Sequence, residues 1–330
     1  TCALPISGRR RHHRPRRVLR DRSEDRRSAP GERPAILSVE IRKPDIPAPV
    51  ATAHAPKARF PAKACDCHAH IFDQFDRYPL SADRKYTPAL SSREAWLALH
   101  AALGVAHGVQ VHGTPYGFDN RITVDFLAAH PGRFVGIAAI HPDMRAADLN
   151  ALDTAGFRGA RLMDQFASGA TTRDLESIAR RIAPLGWHIE INIANAADWV
   201  TLEPRLRACP VPLVFDHLGR IRGRDGVNSP AFRVIQGLLE TREDCWTKIS
   251  SWYRLSDDGS PDYDDMRPIA QALLRTRPDR CVWGSNWPHS GLKKNMPNDA
   301  DLVDLLDQWL PESSMREPLF ASNAAQLYRL

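Results

Sequence analysis

No run of about 18 apolar residues occurs in the 330-residue chain, which excludes a hydrophobic membrane-spanning helix. A Gly-x-Gly-x-x-Gly fingerprint behind the first apolar run is missing, as are a P-loop and any repeat of roughly 20–50 residues. Those absences remove dinucleotide-binding, P-loop and solenoid readings. Cysteine is scarce: six residues, at 2, 65, 67, 209, 245 and 281, with spacing unlike a small secreted disulfide framework. We read them as free thiols of a reducing compartment. The N-terminus has no apolar stretch of the kind that forms a secretory signal, and the expected location is cytoplasmic.

An excess of charge is missing as well, once the tail is set apart. Residues 1–43 carry 13 Lys and Arg against 5 Asp and Glu, leaving 32 against 34 for the rest, a net of −2. The body therefore lacks the electrostatic footprint of nucleic-acid binding. The tail itself is Arg-rich and poor in apolar residues, so it cannot bury enough surface to offset its ordering entropy. Residues 1–7 resemble the translation of a sequencing-library adapter carried into metagenomic assemblies, and the native start is expected near Val39. We expect 1–43 to be disordered and partly non-native, with a basic arm for nucleic acid or a targeting peptide as the rival, Asp21, Glu24 and Asp25 arguing against the latter. Residues 44–63, rich in Pro and Ala, read as an extended linker.

What is present from residue 64 onward is an alternation. Apolar runs at 64–71, 107–112, 134–141, 157–163, 188–193, 212–217, 246–251 and 280–285 read as strands. Amphipathic stretches such as 92–103, 122–130, 172–185, 231–241 and 264–276 read as helices between them. Eight strands with intervening helices over 64–330 is the count of a (β/α)8 TIM barrel. Polar side chains gather at the strand C-terminal ends, where such a barrel keeps its active site. They are His68 and His70 on the first strand, Gln110 and His112 on the second, His141, Arg161, Glu190 with Asn192, His217, Lys248 with Arg254 beyond it, and Asn286 with His289. One such histidine is ordinarily a core residue; nearly every strand ending this way is not explained so.

Cys65-Asp66-Cys67-His68-Ala69-His70 invites a zinc-cluster reading, but strand alternation puts His68 and His70 on one face and both cysteines on the other. The remaining His-x-His pair binds a divalent metal or polarises a substrate carbonyl. Glu190 should point into the barrel between two outward isoleucines. It is either a base or, one layer down, a partner of Lys248 or an arginine.

Five ordered motifs carry a resemblance: Asp66-Cys67-His68-Ala69-His70-Ile71-Phe72, Arg84-Lys85-Tyr86-Thr87-Pro88, Gly156-Phe157-Arg158-Gly159-Ala160-Arg161, Asp216-His217-Leu218-Gly219-Arg220 and Trp283-Gly284-Ser285-Asn286-Trp287-Pro288-His289. Together they resemble the amidohydrolase superfamily, in its branch similar to 2-pyrone-4,6-dicarboxylate lactonase and the galactarolactone isomerase-like members. The resemblance implies a barrel that hydrolyses or isomerises sugar-acid or pyrone lactones, often without a metal or other cofactor. It implies that His68, His70 and His217 polarise the lactone carbonyl. Tyr86, Arg161, Arg220, Lys248 and Arg254 would hold substrate hydroxyls and a carboxylate, a task that guanidinium groups suit because they pair bidentately.

Two departures narrow the implication. Where the hydrolases carry a strand-8 aspartate this chain has Asn286, which orients a nucleophile but cannot deprotonate it. That fits members in which a substrate hydroxyl, rather than water, attacks the carbonyl. Residues 163–172 also offer no second arginine for a dicarboxylate pyrone. A metal centre of the superfamily would use His68, His70 and His217 with a strand-8 aspartate. Three imidazoles alone still suit an open zinc site. Two rivals to the lactone enzyme therefore stay open: a metal-dependent hydrolase or decarboxylase of the same superfamily, and a non-catalytic barrel binding a carboxylated ligand.

Overall fold

A computed structural model describes residues 43–51, 54–166 and 169–330; the expected basic tail lies almost wholly outside the described residues. The eight strands are β1 (Cys65–Ala69), β2 (His107–Val111), β3 (Phe134–Ala138), β4 (Phe157–Met163), β5 (His188–Asn192), β6 (Leu213–Phe215), β7 (Cys245–Ile249) and β8 (Cys281–Trp283). Each pairs in parallel with the next, in the order β1 to β8. The helices are α1 (Arg93–Leu103), α2 (Arg121–Ala129), α3 (Ala146–Thr154), α4 (Leu175–Ile182), α5 (Asp198–Arg207), α6 (Pro230–Thr241), α7 (Arg267–Thr276), α8 (Asp299–Trp309) and α9 (Asn323–Tyr328). The chain is a TIM barrel, as the alternation predicts. No helix among the described residues is long and apolar enough to cross a membrane.

The strands read as apolar runs because both of their faces are buried. One face of β3 and β6 sends Phe134, Ala138, Leu213 and Phe215 against the helix ring, where Trp96, Ile178, Trp199 and Leu238 meet them. The other face sends Val135, Ile137 and Val214 inward to join Val109, Val111, Trp246 and Val282, with Tyr328 of α9 in the same cluster. Helix boundaries follow local chemistry. Ser92 accepts from the Ala95 N–H to start α1, Gly104 ends it at φ 80°, and Ser229 followed by Pro230 starts α6. Helices α3, α5, α8 and α9 are not among those that periodicity singles out. Of these, α3 buries Leu149 alone and α5 carries Pro204 in its interior.

Strand β1 departs from the alternation expected of it. Cys65 and Cys67 face inward with the barrel valines, yet His68 and His70 are inside as well, while Ala69 packs outward. An irregularity in the β1–β2 register between Asp66 and Ala69 turns two consecutive side chains, Cys67 and His68, to the same side. The expectation that the cysteines lie on the opposite face from the histidines is therefore corrected. Both thiols remain free and buried, and burial pushes the Cys67 thiol well up, so neither is a ready metal ligand.

The seam between β8 and β1 is closed just beyond β8. The Asn286 N–H donates to His68 O at 2.8 Å and the His70 N–H to Trp287 O at 2.8 Å. The buried Asp66 carboxylate crosses it, accepting from the Ser285 N–H (2.8 Å) and hydroxyl (2.6 Å). Gly284 is required there, since a Cβ would lie 2.8 Å from the Cβ of His68. The described part of 44–63 is extended but docked on the barrel. Asp45 brackets Thr87 through two hydrogen bonds, and the Phe60 ring packs between Trp283 and Phe320.

Candidate active site

The C-terminal ends of the strands surround a small, narrow cavity. Its walls are His70 after β1, Tyr86, Thr114, Arg161 and Met163 on β4, Gln165, Phe166, Asn192 on β5, His217 after β6, Arg254 after β7, and Asn286 and Ser290 after β8. Six of the nine residues singled out as catalytic or substrate-binding thus meet in one place: His70, Tyr86, Arg161, His217, Arg254 and Asn286. Arg220 stands beside this group, its Nη1 donating to Gln165 Oε1 at 2.6 Å. His68 and Lys248 do not line the cavity.

Those two belong to a dry ionic layer beneath it. Lys248 Nζ lies 2.6 Å from Glu190 Oε1 and 3.4 Å from Asp216 Oδ1, and donates to His68 Nδ1 at 3.1 Å. Arg161 grips Asp216 Oδ2 through Nε (3.2 Å) and Nη2 (2.9 Å). Lys248 as a substrate-binding group is corrected on this geometry: its ammonium is fully buried among carboxylates, one layer too deep to reach a ligand. Burial alone would raise the Asp216 carboxyl, but the charges of Lys248 and Arg161 hold it well below the usual carboxylate range. Burial first, and then the charge of Lys248, drive His68 well below an ordinary histidine, so it is neutral. Two acids and two bases balance in this layer, which is the condition for burying them together.

The two cavity histidines are neutral for the same reason and differ in what they present. Burial, with Arg161 second, lowers His70 to about 3. Its Nδ1 lies 2.8 Å from Val111 O, an acceptor only, so Nδ1 carries the proton and Nε2 offers a lone pair. His217 is also driven well down by burial, and its Nδ1 meets the Ser250 hydroxyl at 2.8 Å. A hydroxyl donates or accepts, so His217 is free to carry its proton on Nε2.

Arg254 and Arg220 share a neutral partner. Arg254 Nη2 donates to Gln165 Oε1 at 3.4 Å, and among the described residues neither guanidinium has a carboxylate. Burial lowers Arg254, and burial together with the charge of Arg254 lowers Arg220 to about 10. Two cations with no counterion at the cavity form a ready anion subsite. Gly291 leaves room for it: at φ 94°, a Cβ there would stand 2.7 Å from Arg254 Nη2.

Asn286 occupies the left-handed region at φ 59°, which asparagine tolerates. Its Nδ2 donates to Ser251 Oγ (3.1 Å) and Tyr253 OH (2.9 Å), leaving Oδ1 buried without a protein partner. Tyr253 OH meets His289 Nδ1 at 2.7 Å, and His289 Nε2 meets Asp299 Oδ2 at 3.3 Å. Asp216, Gln165, Ser250, Tyr253 and Asp299 escape the strand-end reading. Asp216 is adjacent to His217 in a quoted motif, whereas Asp299 opens α8 and carries no local signal. His112 turns its Nε2 to Gly117 O, and His141 is exposed; neither joins the cavity.

His68, Asp216 and His217 are the one group of three ligand types among the described residues whose donor atoms all lie within 4.8 Å. That set does not fit a resident divalent ion. Asp216 is already shared by Arg161 and Lys248, and His68 Nδ1 faces the Lys248 ammonium, so an ion would stand against two buried cations.

Residues 65–330 match the family described as Amidohydrolase. The chain is 34% identical over 282 residues to a 2-pyrone-4,6-dicarboxylate hydrolase of Comamonas testosteroni, covering 83% of this chain and 92% of that protein. It is 36% identical over 273 residues to a 4-sulfomuconolactone hydrolase of Rhizobium radiobacter, covering 81% and 90%. To a D-galactarolactone isomerase of Agrobacterium fabrum it is 26% identical over 280 residues, covering 84% and 94%.

Proposed function

The chain is an enzyme of the amidohydrolase family, and from that premise we propose that it acts on a small carboxylated lactone, by ring opening or ring exchange. The observation that carries the reading is what meets at the strand-end cavity: Arg254 in its wall and Arg220 beside it, without a carboxylate partner among the described residues, two neutral imidazoles and an amide oxygen without a partner. Relatives named as hydrolases of a pyrone and of a lactone, and as a lactone isomerase, share a ring ester as substrate.

Arg254 and Arg220 hold the carboxylate, and Tyr86 a substrate hydroxyl. Ser250 donating to His217 Nδ1 leaves an N–H on Nε2. With the one Arg161 Nη1 N–H not engaged by His112 O, the Nε and Nη2 groups being taken by Asp216 and His68, it stabilises charge on the carbonyl oxygen. Asn286 Oδ1 and the bare His70 Nε2 accept hydrogen bonds from the nucleophile and aim its oxygen at the carbonyl carbon. The nucleophile's oxygen bonds to the carbonyl carbon, the ring C–O bond breaks, and the proton ends on the departing ring oxygen. Water as nucleophile opens the ring; a substrate hydroxyl exchanges one ring size for another. Asn286, having no useful basicity, favours the second. His68 acts from below, its ring packed against those of His70 and His217.

No step in this scheme passes through a metal, in keeping with the cations around Asp216. The five described cysteines are all free and buried, which supports the cytoplasmic setting. The near-neutral body supports a small-molecule rather than a nucleic-acid partner.

The test is a chelator-treated, metal-quantified preparation assayed against sugar-acid 1,4- and 1,5-lactones, with proton NMR following ring exchange and ring opening separately. Turnover without metal is expected. Activity restored only by added zinc or manganese would overturn the scheme in favour of the metal-dependent branch, and saturable binding without turnover would favour a ligand-binding barrel.

A further inference from the structure

We propose that Asp299, acting through His289 and Tyr253, sets which end of the Asn286 amide faces the cavity, and so makes that wall a hydrogen-bond acceptor selective for a substrate O–H. The juxtaposition is a single file of buried side chains. Asp299 Oδ2 is 3.3 Å from His289 Nε2, His289 Nδ1 is 2.7 Å from Tyr253 OH, and Tyr253 OH is 2.9 Å from Asn286 Nδ2.

Direction along the file follows from one end. A carboxylate only accepts, so the proton of His289 next to Asp299 sits on Nε2. Nδ1 is then the acceptor and takes the Tyr253 O–H. The Tyr253 oxygen, having given its proton away, receives one from Asn286 Nδ2. The amide is thereby fixed with nitrogen toward Tyr253 and Ser251 and with Oδ1 toward the cavity, where it has no protein partner. The reverse order requires protons on both nitrogens of His289, or a protonated Asp299 that donates to Nε2. Asp299 is three hydrogen bonds from Asn286 and touches no part of the ligand; it is a positioning residue, as are His289 and Tyr253.

The inference deepens the lactone reading by naming the group opposite residue 286 as a hydroxyl or water and not a carboxylate or carbonyl. It rests on that reading only for its kinetic arm. Long-range proton–nitrogen spectra of histidine-labelled full-length protein at pH 7, with the His289 signals assigned by their loss in His289→Gln, read the direction of the file without any substrate. A proton on Nε2 and a bare Nδ1 are expected; a proton on Nδ1, alone or on both nitrogens, overturns the proposal.

The second arm uses whichever lactone the wild-type protein turns over. Tyr253→Phe and Asp299→Leu should each lower kcat about tenfold with KM moving less than about threefold, the size of one lost orienting hydrogen bond. Asp299→Asn, which keeps an acceptor for Nε2–H, should recover most of that loss. Equal kcat in the leucine and asparagine variants overturns the proposal. Absence of lactone turnover in the wild type overturns the lactone reading instead, and leaves the spectra to decide the direction of the file.

Discussion

Lys248 Nζ and Glu190 Oε1 meet at 2.6 Å in a layer where neither side chain has any exposure, and Tyr328 of the last helix donates to the same carboxylate oxygen at 3.1 Å. The pair ties β5, β7 and the C-terminal helix together directly beneath the cavity. It also bounds the cavity electrostatically, because Lys248 is the charge that helps keep His68 neutral and Asp216 ionised.

Removing one member leaves the other charges stranded. Lys248→Met should destabilise the barrel by about 3–5 kcal/mol, the usual consequence of breaking a buried pair. Adding Glu190→Gln to it should recover a substantial part, since the double variant strands one carboxylate fewer. Urea denaturation of the two single variants and the double variant gives the coupling, and additive losses would count against an ionic origin.

The anion subsite makes a kinetic prediction. Arg254→Met should raise KM for a carboxylated lactone by about 10- to 100-fold, the loss of charge-assisted hydrogen bonds to a carboxylate. The corresponding lactone amide should bind both proteins with similar KM. A loss of equal size on the amide would show that Arg254 supports the loop and does not bind the anion.

Gly291 is a more sensitive probe of the same arginine. An alanine there has to hold φ at 94° and place its Cβ 2.7 Å from Arg254 Nη2. Gly291→Ala should cost about 1 kcal/mol of stability from the backbone. It should also raise KM for the carboxylated substrate, in the direction of Arg254→Met but by less. Thermal unfolding and KM measured together check both; a stability loss with unchanged KM would show that the guanidinium moves aside without consequence for binding.

Much of this molecule is legible in its sequence, for identifiable reasons. Strands buried on both faces write themselves as apolar runs, and a barrel that keeps function at strand ends writes His70, Arg161 and His217 at the ends of those runs and Arg254 and Asn286 just after them. What local pattern does not carry is depth and long-range closure. Lys248 alternates inward as expected, but whether an inward side chain reaches the mouth or stops one layer below depends on strand stagger. The double inward turn of Cys67 and His68 is set where Asp66 grips Ser285 across 219 residues, a contact that no window of sequence contains. Tyr253 and Asp299 are missed likewise, since their importance lies in hydrogen-bonding to residues beyond β8.

Acid should destabilise the fold through its neutral histidines, and His112 isolates the effect away from the cavity. Burial lowers it to about 4, against 6.5 for an ordinary histidine. The unfolded chain therefore takes up a proton that the folded one refuses. The stability contribution is intact above about pH 6.5 and is lost as pH falls toward 4, by an order of 3 kcal/mol at the lower limit. His112→Gln keeps a donor for Gly117 O but has no titration. Its stability should fall less steeply than the wild type between pH 6.5 and 4 in urea melts; parallel curves would mean that His112 titrates normally.

Asn286→Asp tests the step that separates ring exchange from hydrolysis. The amide presents Oδ1 to the cavity, where it orients an O–H without removing its proton. A carboxylate at the same place requires Ser251 and Tyr253, which accept from the amide N–H in the wild type, to turn their hydroxyls toward it, and it adds a base facing the nucleophile, a contribution of about 10²- to 10⁴-fold where a general base is well placed. Water, which is hard to activate at an amide, gains more from that base than a substrate hydroxyl already held in position. The ratio of ring opening to ring exchange, read by NMR from a single lactone, should therefore rise by at least about tenfold. Should the ratio stay at the wild-type value, residue 286 does not face the nucleophile in either reaction.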